Sequence, residues 1–90
     1  MAQILGMDPQ AVRELARQLD QSAGQIEQIR SQLTSKLSGT QWVGNDAQQF
    51  RSDWESTHVS KLNEVIGALR QASQTANRNA QAQEQTSSAL

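Results

Sequence analysis

His58 is the only histidine of this 90-residue chain, and its type and spacing make it the first candidate for chemistry. Glu55 stands three residues before it, which is the Glu-x-x-His spacing that metal ligands use in helical bundles. No further carboxylate falls on the same helical stripe, and the chain has no cysteine to serve as nucleophile or ligand. A glycine-rich phosphate loop is also missing. We therefore expect no enzyme activity, no metal and no other cofactor, with His58 a polar residue in the core or at its rim.

Composition narrows the partners as well as the chemistry. Eight basic and nine acidic residues give a net charge of −1, which favours neither nucleic acid nor an anionic membrane as a partner. No apolar run approaches the roughly 20 residues of a membrane span, so we expect no stable membrane insertion. The first six residues lack a basic leader and a long apolar run, so no general secretory signal peptide is expected. The abundance of helix formers predicts a single all-α domain.

The first predicted helix covers about residues 8–38. Asp8 offers an N-cap oxygen, and Pro9 occupies the first helical position, where a missing N–H costs nothing. Gly39 suits the position just after the helix. Large apolar residues recur at steps of three and four along one stripe: Val12, Leu15, Leu19, Ile26, Ile29, Leu33 and Leu37.

The second predicted helix covers about residues 46–79, with Asn45 as N-cap and Gln48 completing a capping box. Consecutive steps of four around His58 interrupt the heptads and predict a locally straight helix. Val59 and Ile66 fall on a shoulder roughly 100° from the centre of the apolar stripe, so helix 2 has more apolar surface than helix 1 can cover. That stripe consists of Ala47, Phe50, Trp54, His58, Leu62, Val65, Leu69, Ala72 and Ala76.

A loop as short as residues 39–45 forces the two helices into an antiparallel hairpin. We expect residues 1–7 and 80–90 to be flexible flanking segments, because large apolar residues are almost absent from the tail. A lone two-helix hairpin without disulfides or metals is at the edge of stability, so we predict that two hairpins pair into a four-helix bundle. The predicted hairpin and dimer interface consists of Leu15, Leu19, Ile26, Ile29, Leu33, Phe50, Trp54, Val59, Leu62, Val65, Ile66 and Leu69.

Trp42-Val43-Gly44, between the two helices, is the most informative tripeptide of the chain. In one interpretation Trp42 only closes the end of the hairpin core, and Gly44 adopts a backbone angle that other residues avoid. In the other interpretation the turn is half of a recognition surface, since a tryptophan beside a tight turn can dock a partner's side chain.

Two amphipathic helices joined by a central Trp-x-Gly loop in about a hundred residues resemble the WXG100 family, the early-secreted-antigen-like proteins of type VII secretion. Trp42 and Gly44 match the motif, and the resemblance extends from about Met7 to Asn79. The segment from Trp42 to Phe50, followed by Trp54, is similar to the opening of helix 2 in that family.

The resemblance implies a homodimer or heterodimer with another hairpin of this type, built as a four-helix bundle. It also implies secretion without a cleaved signal, through a membrane complex driven by a cytoplasmic ATPase, with Trp42 and Gly44 as half of a composite export signal. The family commonly carries Tyr-x-x-x-Asp/Glu after helix 2, whereas this chain has no tyrosine. A dimer partner that supplies the missing half is the interpretation we favour; export by another cue, or no export, are the alternatives.

The leading functional prediction is thus a substrate or co-secreted partner of a type VII secretion system, acting through protein–protein contact. The alternative from another class is an intracellular helical adaptor that only oligomerises. A membrane-active protein is a distant third, because the polar faces carry glutamine and mixed charge where a membrane-surface helix is rich in lysine and arginine.

Overall fold

The chain forms an all-helical antiparallel hairpin. The computed structural model describes the backbone of residues 6–89 and the side chains of residues 6–86. In this part of the chain, α1 (Pro9–Gly39) is followed by α2 (Asn45–Asp53), a π-helical turn (Trp54–His58) and α3 (Val59–Ala89). The last three elements are continuous and run back along α1, giving a rod 68 Å long. The predicted hairpin is confirmed, while residues 1–5 of the predicted N-terminal segment lie outside the described residues.

Both ends of α1 are closed by local hydrogen bonds. As predicted, Asp8 is the N-cap, and its carboxylate accepts the backbone N–H groups of Gln10 (3.0 Å) and Ala11 (3.3 Å). The predicted role of Gly39 is wrong, because it is the last residue inside the helix. The cap is Thr40, whose backbone N–H donates to the Leu37 carbonyl and whose hydroxyl donates to the Lys36 carbonyl.

The N-cap of the second helix lies one residue earlier than predicted, and the helix ends later than predicted. Gly44, not Asn45, is the N-cap, and no side chain caps this end, so the predicted capping box is wrong. The other end continues to Ala89, so the predicted end near residue 79 is also wrong. Ala80 is buried and Glu84 pairs with Arg13, which shows that this last stretch packs against the start of α1. Tertiary contact thus sustains helix where the sequence offers few large apolar residues.

Buried residues spaced seven apart, most of them small, line the contact between the two helices. Ser73, itself buried, donates its hydroxyl to the Ala16 carbonyl on the facing helix at 2.6 Å. Side chains this small let the helix backbones approach closely, and a spacing of seven keeps them on one side of each helix. We call this contact the seam; its buried residues are Ala16, Ala23, Ile66, Ser73 and Ala80.

The seam corrects the prediction for Val59 and Ile66. The sequence placed both on an uncovered shoulder, but Ile66 is only 5% exposed and Val59 is half-buried. Together with Ser73 and Ala80 they continue one heptad series that faces α1. The search for large apolar residues missed this series because half of its members are small.

A π-helical turn replaces the straight α-helix that was predicted around His58. The sequence located the irregularity correctly, at the consecutive steps of four, but a π turn holds one extra residue and shifts the helical register at that point. Ala47 before the turn and Ile66 after it are therefore both buried. Within residues 6–89, no helix combines the length and apolarity that crossing a membrane requires.

Candidate protein interface

The loop at one end of the hairpin presents an aromatic pair. The centroid of the Trp42 ring lies 5.3 Å from that of Phe50, and the ring planes are inclined by 52°, a favourable arrangement for two aromatic rings. Trp42 is 38% exposed, and the next residue, Val43, is 87% exposed. Trp42 thus covers part of Phe50 and presents the rest of its ring to solvent.

Gly44 sets the direction in which the chain leaves the loop. Its φ of 109° and ψ of −178° lie in a region that is essentially restricted to glycine. Its carbonyl accepts the Gln48 N–H at 3.1 Å, which opens the first turn of α2. The predicted unusual backbone angle at Gly44 is confirmed. It explains why the third residue of Trp42-Val43-Gly44 is glycine.

Arg51 is the residue of this region that the sequence interpretation missed. Its guanidinium donates to main-chain carbonyl oxygens of the loop and of the end of α1. The acceptors are the carbonyls of Trp42 (2.8 Å), Thr40 (3.0 Å) and Leu37 (3.4 Å). Helices end with carbonyls that lack an intrahelical partner, but nothing in the sequence indicates that an arginine in the second turn of the following helix reaches them.

Trp54 joins the two helices just below the loop. Its indole N–H donates to the Thr34 hydroxyl at 2.9 Å. This hydrogen bond satisfies the indole N–H, which would cost free energy to bury without a partner. On its other side the ring lies 6.1 Å from the His58 ring, centroid to centroid. Trp54 is half-buried and works as a structural residue of the hairpin, consistent with its predicted place in the interface of the two helices.

An open cleft of about 270 Å³ adjoins the aromatic pair. Its walls are almost entirely apolar, and Lys36 is the one charged residue on its rim. A cleft of this size accommodates one or two side chains of another molecule, and hydrophobic clefts of this kind are typical of protein contacts. The lining residues are Leu33, Lys36, Leu37, Thr40, Trp42, Phe50 and Trp54.

The cleft continues into a row of exposed apolar side chains along the hairpin. These residues are between 46% and 52% exposed, although each is large and apolar. On the two long helices Leu15 and Val65 immediately precede seam residues, which places them about 100° around each helix from the seam. We call this surface the apolar flank; it consists of Leu15, Ile29, Leu33, Phe50 and Val65.

The structure divides the twelve predicted interface residues into three groups. Five form the apolar flank, and Ile66 belongs to the seam within the hairpin. The remaining six are half-buried: Leu19, Ile26, Trp54, Val59, Leu62 and Leu69.

Charged pairs close the opposite side of the seam. Arg70 on α3 donates to both carboxylate oxygens of Glu27 on α1, the shorter contact being 2.8 Å, and its Nε lies 3.9 Å from Asp20. Arg13 on α1 pairs with one carboxylate oxygen of Glu84 on α3 near the ends of the chain. Four of these residues follow a seam residue by four positions, and Arg13 precedes Ala16 by three, which places all five about 40 to 60° to the other side of each helix. We call this surface the ionic flank; it consists of Arg13, Asp20, Glu27, Arg70 and Glu84.

Two of the cross-helix carboxylates, Glu27 and Glu84, have a pKa below the ordinary value. The hydrogen bond from Arg70, reinforced by its charge, lowers the pKa of Glu27. The hydrogen bond from Arg13 likewise lowers the pKa of Glu84. Glu14 and Arg17 pair along α1 at 2.7 Å, whereas Glu27 is engaged by Arg70 across the hairpin.

His58 is exposed at the π-helical turn. It contacts the Trp54 ring and is not part of a buried polar site. Among the residues that the structure describes, no three His, Asp or Glu side chains are grouped so that they could hold a metal ion. The arrangement at this end of the hairpin is therefore one of apolar and aromatic contact surfaces.

Compared with models of known protein families, with curated protein sequences and with solved structures, the chain gives no match.

Proposed function

We propose that this chain is a small WXG-type protein that a type VII secretion system exports, either as a substrate or as the co-secreted partner of another hairpin. The observation that carries this proposal is a half-exposed Trp42 and a glycine-specific turn at Gly44, presented at the junction of two long antiparallel helices. In this proposal the chain acts by protein–protein contact, with the loop recognised by the secretion machinery, whose ATPase is the expected partner.

The difference in side-chain size and burial between the seam and the apolar flank supports pairing with a second hairpin. Within the described residues the hairpin buries mainly small side chains, while large ones such as Leu15, Ile29 and Val65 remain about half exposed. Large apolar side chains exposed on one side of a helical hairpin are typical of a surface that another protein covers. A second hairpin laid along the apolar flank would cover these residues and give a four-helix bundle.

Export is tested by comparing culture supernatants of a producing strain with and without the type VII ATPase. We expect the protein in the supernatant of the intact strain and its retention in cells that lack the ATPase. A cytoplasmic marker measured in the same supernatants controls for lysis. Equal amounts of the protein in both supernatants would remove the export proposal and favour the intracellular adaptor.

Trp42→Ala separates recognition from folding. Because Trp42 lies outside the seam, we expect the helical signal in circular dichroism to be largely retained. Export or partner binding should fall by roughly tenfold or more, as for tryptophans at the centre of protein interfaces. The matched control is Val43→Ala, which alters a neighbouring side chain that is 87% exposed. Global unfolding of Trp42→Ala would instead support a role confined to the hairpin core.

The pairing itself is tested by static light scattering on the purified chain, alone and mixed with a candidate partner hairpin. We expect the mass of a dimer at micromolar concentration in one of these samples. A stable helical monomer in both would contradict the proposed four-helix bundle.

A further inference from the structure

Arg51 is placed where it holds three parts of the loop region together. Its half-buried side chain extends from α2 to the end of α1, where it donates to the Leu37 and Thr40 carbonyls, and into the loop, where it donates to the Trp42 carbonyl. We propose that Arg51 is the positioning residue of the Trp42 loop, fixing the main chain on which the exposed indole is carried.

The chemistry of the acceptors suits an arginine in particular. A planar guanidinium has five N–H donors spread over a wide arc, so one side chain reaches several separate carbonyls at once. The carbonyls at the end of α1 lie at the negative pole of the helix dipole, which favours a cation there. The positive charge also strengthens each hydrogen bond relative to a neutral donor.

The residue before Arg51 completes the arrangement. Phe50 contacts the Trp42 ring, at 5.3 Å between centroids, while Arg51 holds the Trp42 main-chain carbonyl at 2.8 Å. One turn of α2 therefore fixes both the side chain and the backbone of the same tryptophan. Gly44 alone, with its wide conformational freedom, would leave the loop free to move.

The test measures backbone order in the loop by ¹⁵N relaxation of the full-length protein. In the parent we expect order parameters of about 0.85 for the amides of Gln41, Trp42 and Val43, the value of rigid backbone. In Arg51→Gln they should fall below about 0.6, the range of flexible loops, while the middle of the hairpin keeps its values. Arg51→Lys, which keeps the charge but not the fan of donors, should give an intermediate loss.

Arg78→Gln is the matched control, because Arg78 is an exposed arginine whose described hydrogen bond goes to Thr75 on its own helix. Unchanged loop order in Arg51→Gln, or an equal loss in Arg78→Gln, would overturn the proposal. Should Arg51→Gln fail to fold by circular dichroism, Arg51→Lys decides alone: loss of loop order supports the positioning role, and unchanged order overturns it.

The consequence for export rests on the function proposed above and is measured separately on the same variants. A loosened loop together with reduced ATPase-dependent export, both absent from Arg78→Gln, supports the two proposals jointly. A loosened loop in a protein whose extracellular amount never depends on the ATPase keeps the positioning role and removes the export function. A rigid loop in Arg51→Gln, together with export that is lost only in Trp42→Ala, removes the positioning role and keeps the export function.

Discussion

The two flanks of the seam use opposite kinds of side chain. On the ionic flank, arginines of one helix meet carboxylates of the other, as Arg70 does with Glu27, so the contact is completed within the hairpin. On the apolar flank, Leu15, Ile29 and Val65 stand beside the same seam but remain about half exposed. One flank is therefore closed by the molecule itself, and the other is left open.

This difference shows how a short chain can form a defined hairpin and still leave a surface available to another protein. The seam residues and the cross-helix ion pairs fix the register of the two helices and leave the large side chains of the apolar flank about half exposed. In the proposed pairing, those side chains are the source of hydrophobic stabilisation. The hairpin contact would supply the geometry, and the apolar flank would supply the driving force for association.

The largest expected effect comes from placing a charge on the apolar flank. In Ile29→Glu, a carboxylate replaces a side chain that the proposed second hairpin covers, and burying it without a partner costs several kcal/mol. We expect the dimer to dissociate at least about 100-fold more readily, measured by sedimentation equilibrium or light scattering over a concentration series.

Gln28→Glu is the matched control for that variant, because it introduces the same charge one residue away on an exposed position outside the apolar flank. It should leave association nearly unchanged. Equal weakening by both variants would point to overall charge, and no weakening by Ile29→Glu would show that the apolar flank is not the surface of contact.

The sequence predicted the two helices, the antiparallel hairpin and the start of α1 because each depends on strong local signals. The Asp8-Pro9 cap is such a signal, and so is the periodic apolar stripe. The sequence did not predict which edge of the stripe faces the other helix. A wide stripe has two edges. The edge that faces the other helix is the one that carries Ala16, Ala23 and Ser73, whose small size gives no hydrophobic signal.

The candidate site was predicted in part for the same physical reason. Trp42 and Gly44 are distinctive residue types at a loop, so both were found, and the backbone angle of Gly44 agrees with expectation. Arg51 was missed because its acceptors are main-chain carbonyls, which every residue has and which no sequence pattern distinguishes. The same holds for the end of α3, where packing against α1 overrides a polar sequence.

The second prediction tests the seam, with an intermediate effect. Ala23 is fully buried between the helices, so Ala23→Leu inserts three carbon atoms where the backbones approach closely. We expect the free energy of unfolding to fall by about 1–3 kcal/mol, measured by urea denaturation. Ala68→Leu, at an exposed position of α3, is the control and should be nearly neutral. A neutral Ala23→Leu would mean that the seam is not closely packed.

The smallest effect belongs to the ionic flank, because exposed ion pairs contribute little. The pKa of Glu27 lies below its ordinary value of 4.5 in the folded protein, owing first to its hydrogen bond with Arg70 and then to the arginine's charge. A lowered folded-state pKa means that the stabilisation is present above the unfolded-state pKa and is lost as the pH falls through the folded-state pKa. Glu27→Gln should therefore lower the melting temperature slightly at pH 7, and the difference from the parent should shrink as the pH falls below 4.5. The double variant with Arg70→Gln should show that most of this difference is a coupling between the two residues. A pH-independent difference would assign the effect of Glu27 to packing of its side chain. The ionic flank would then not be held by charge, and the contrast with the apolar flank would no longer hold.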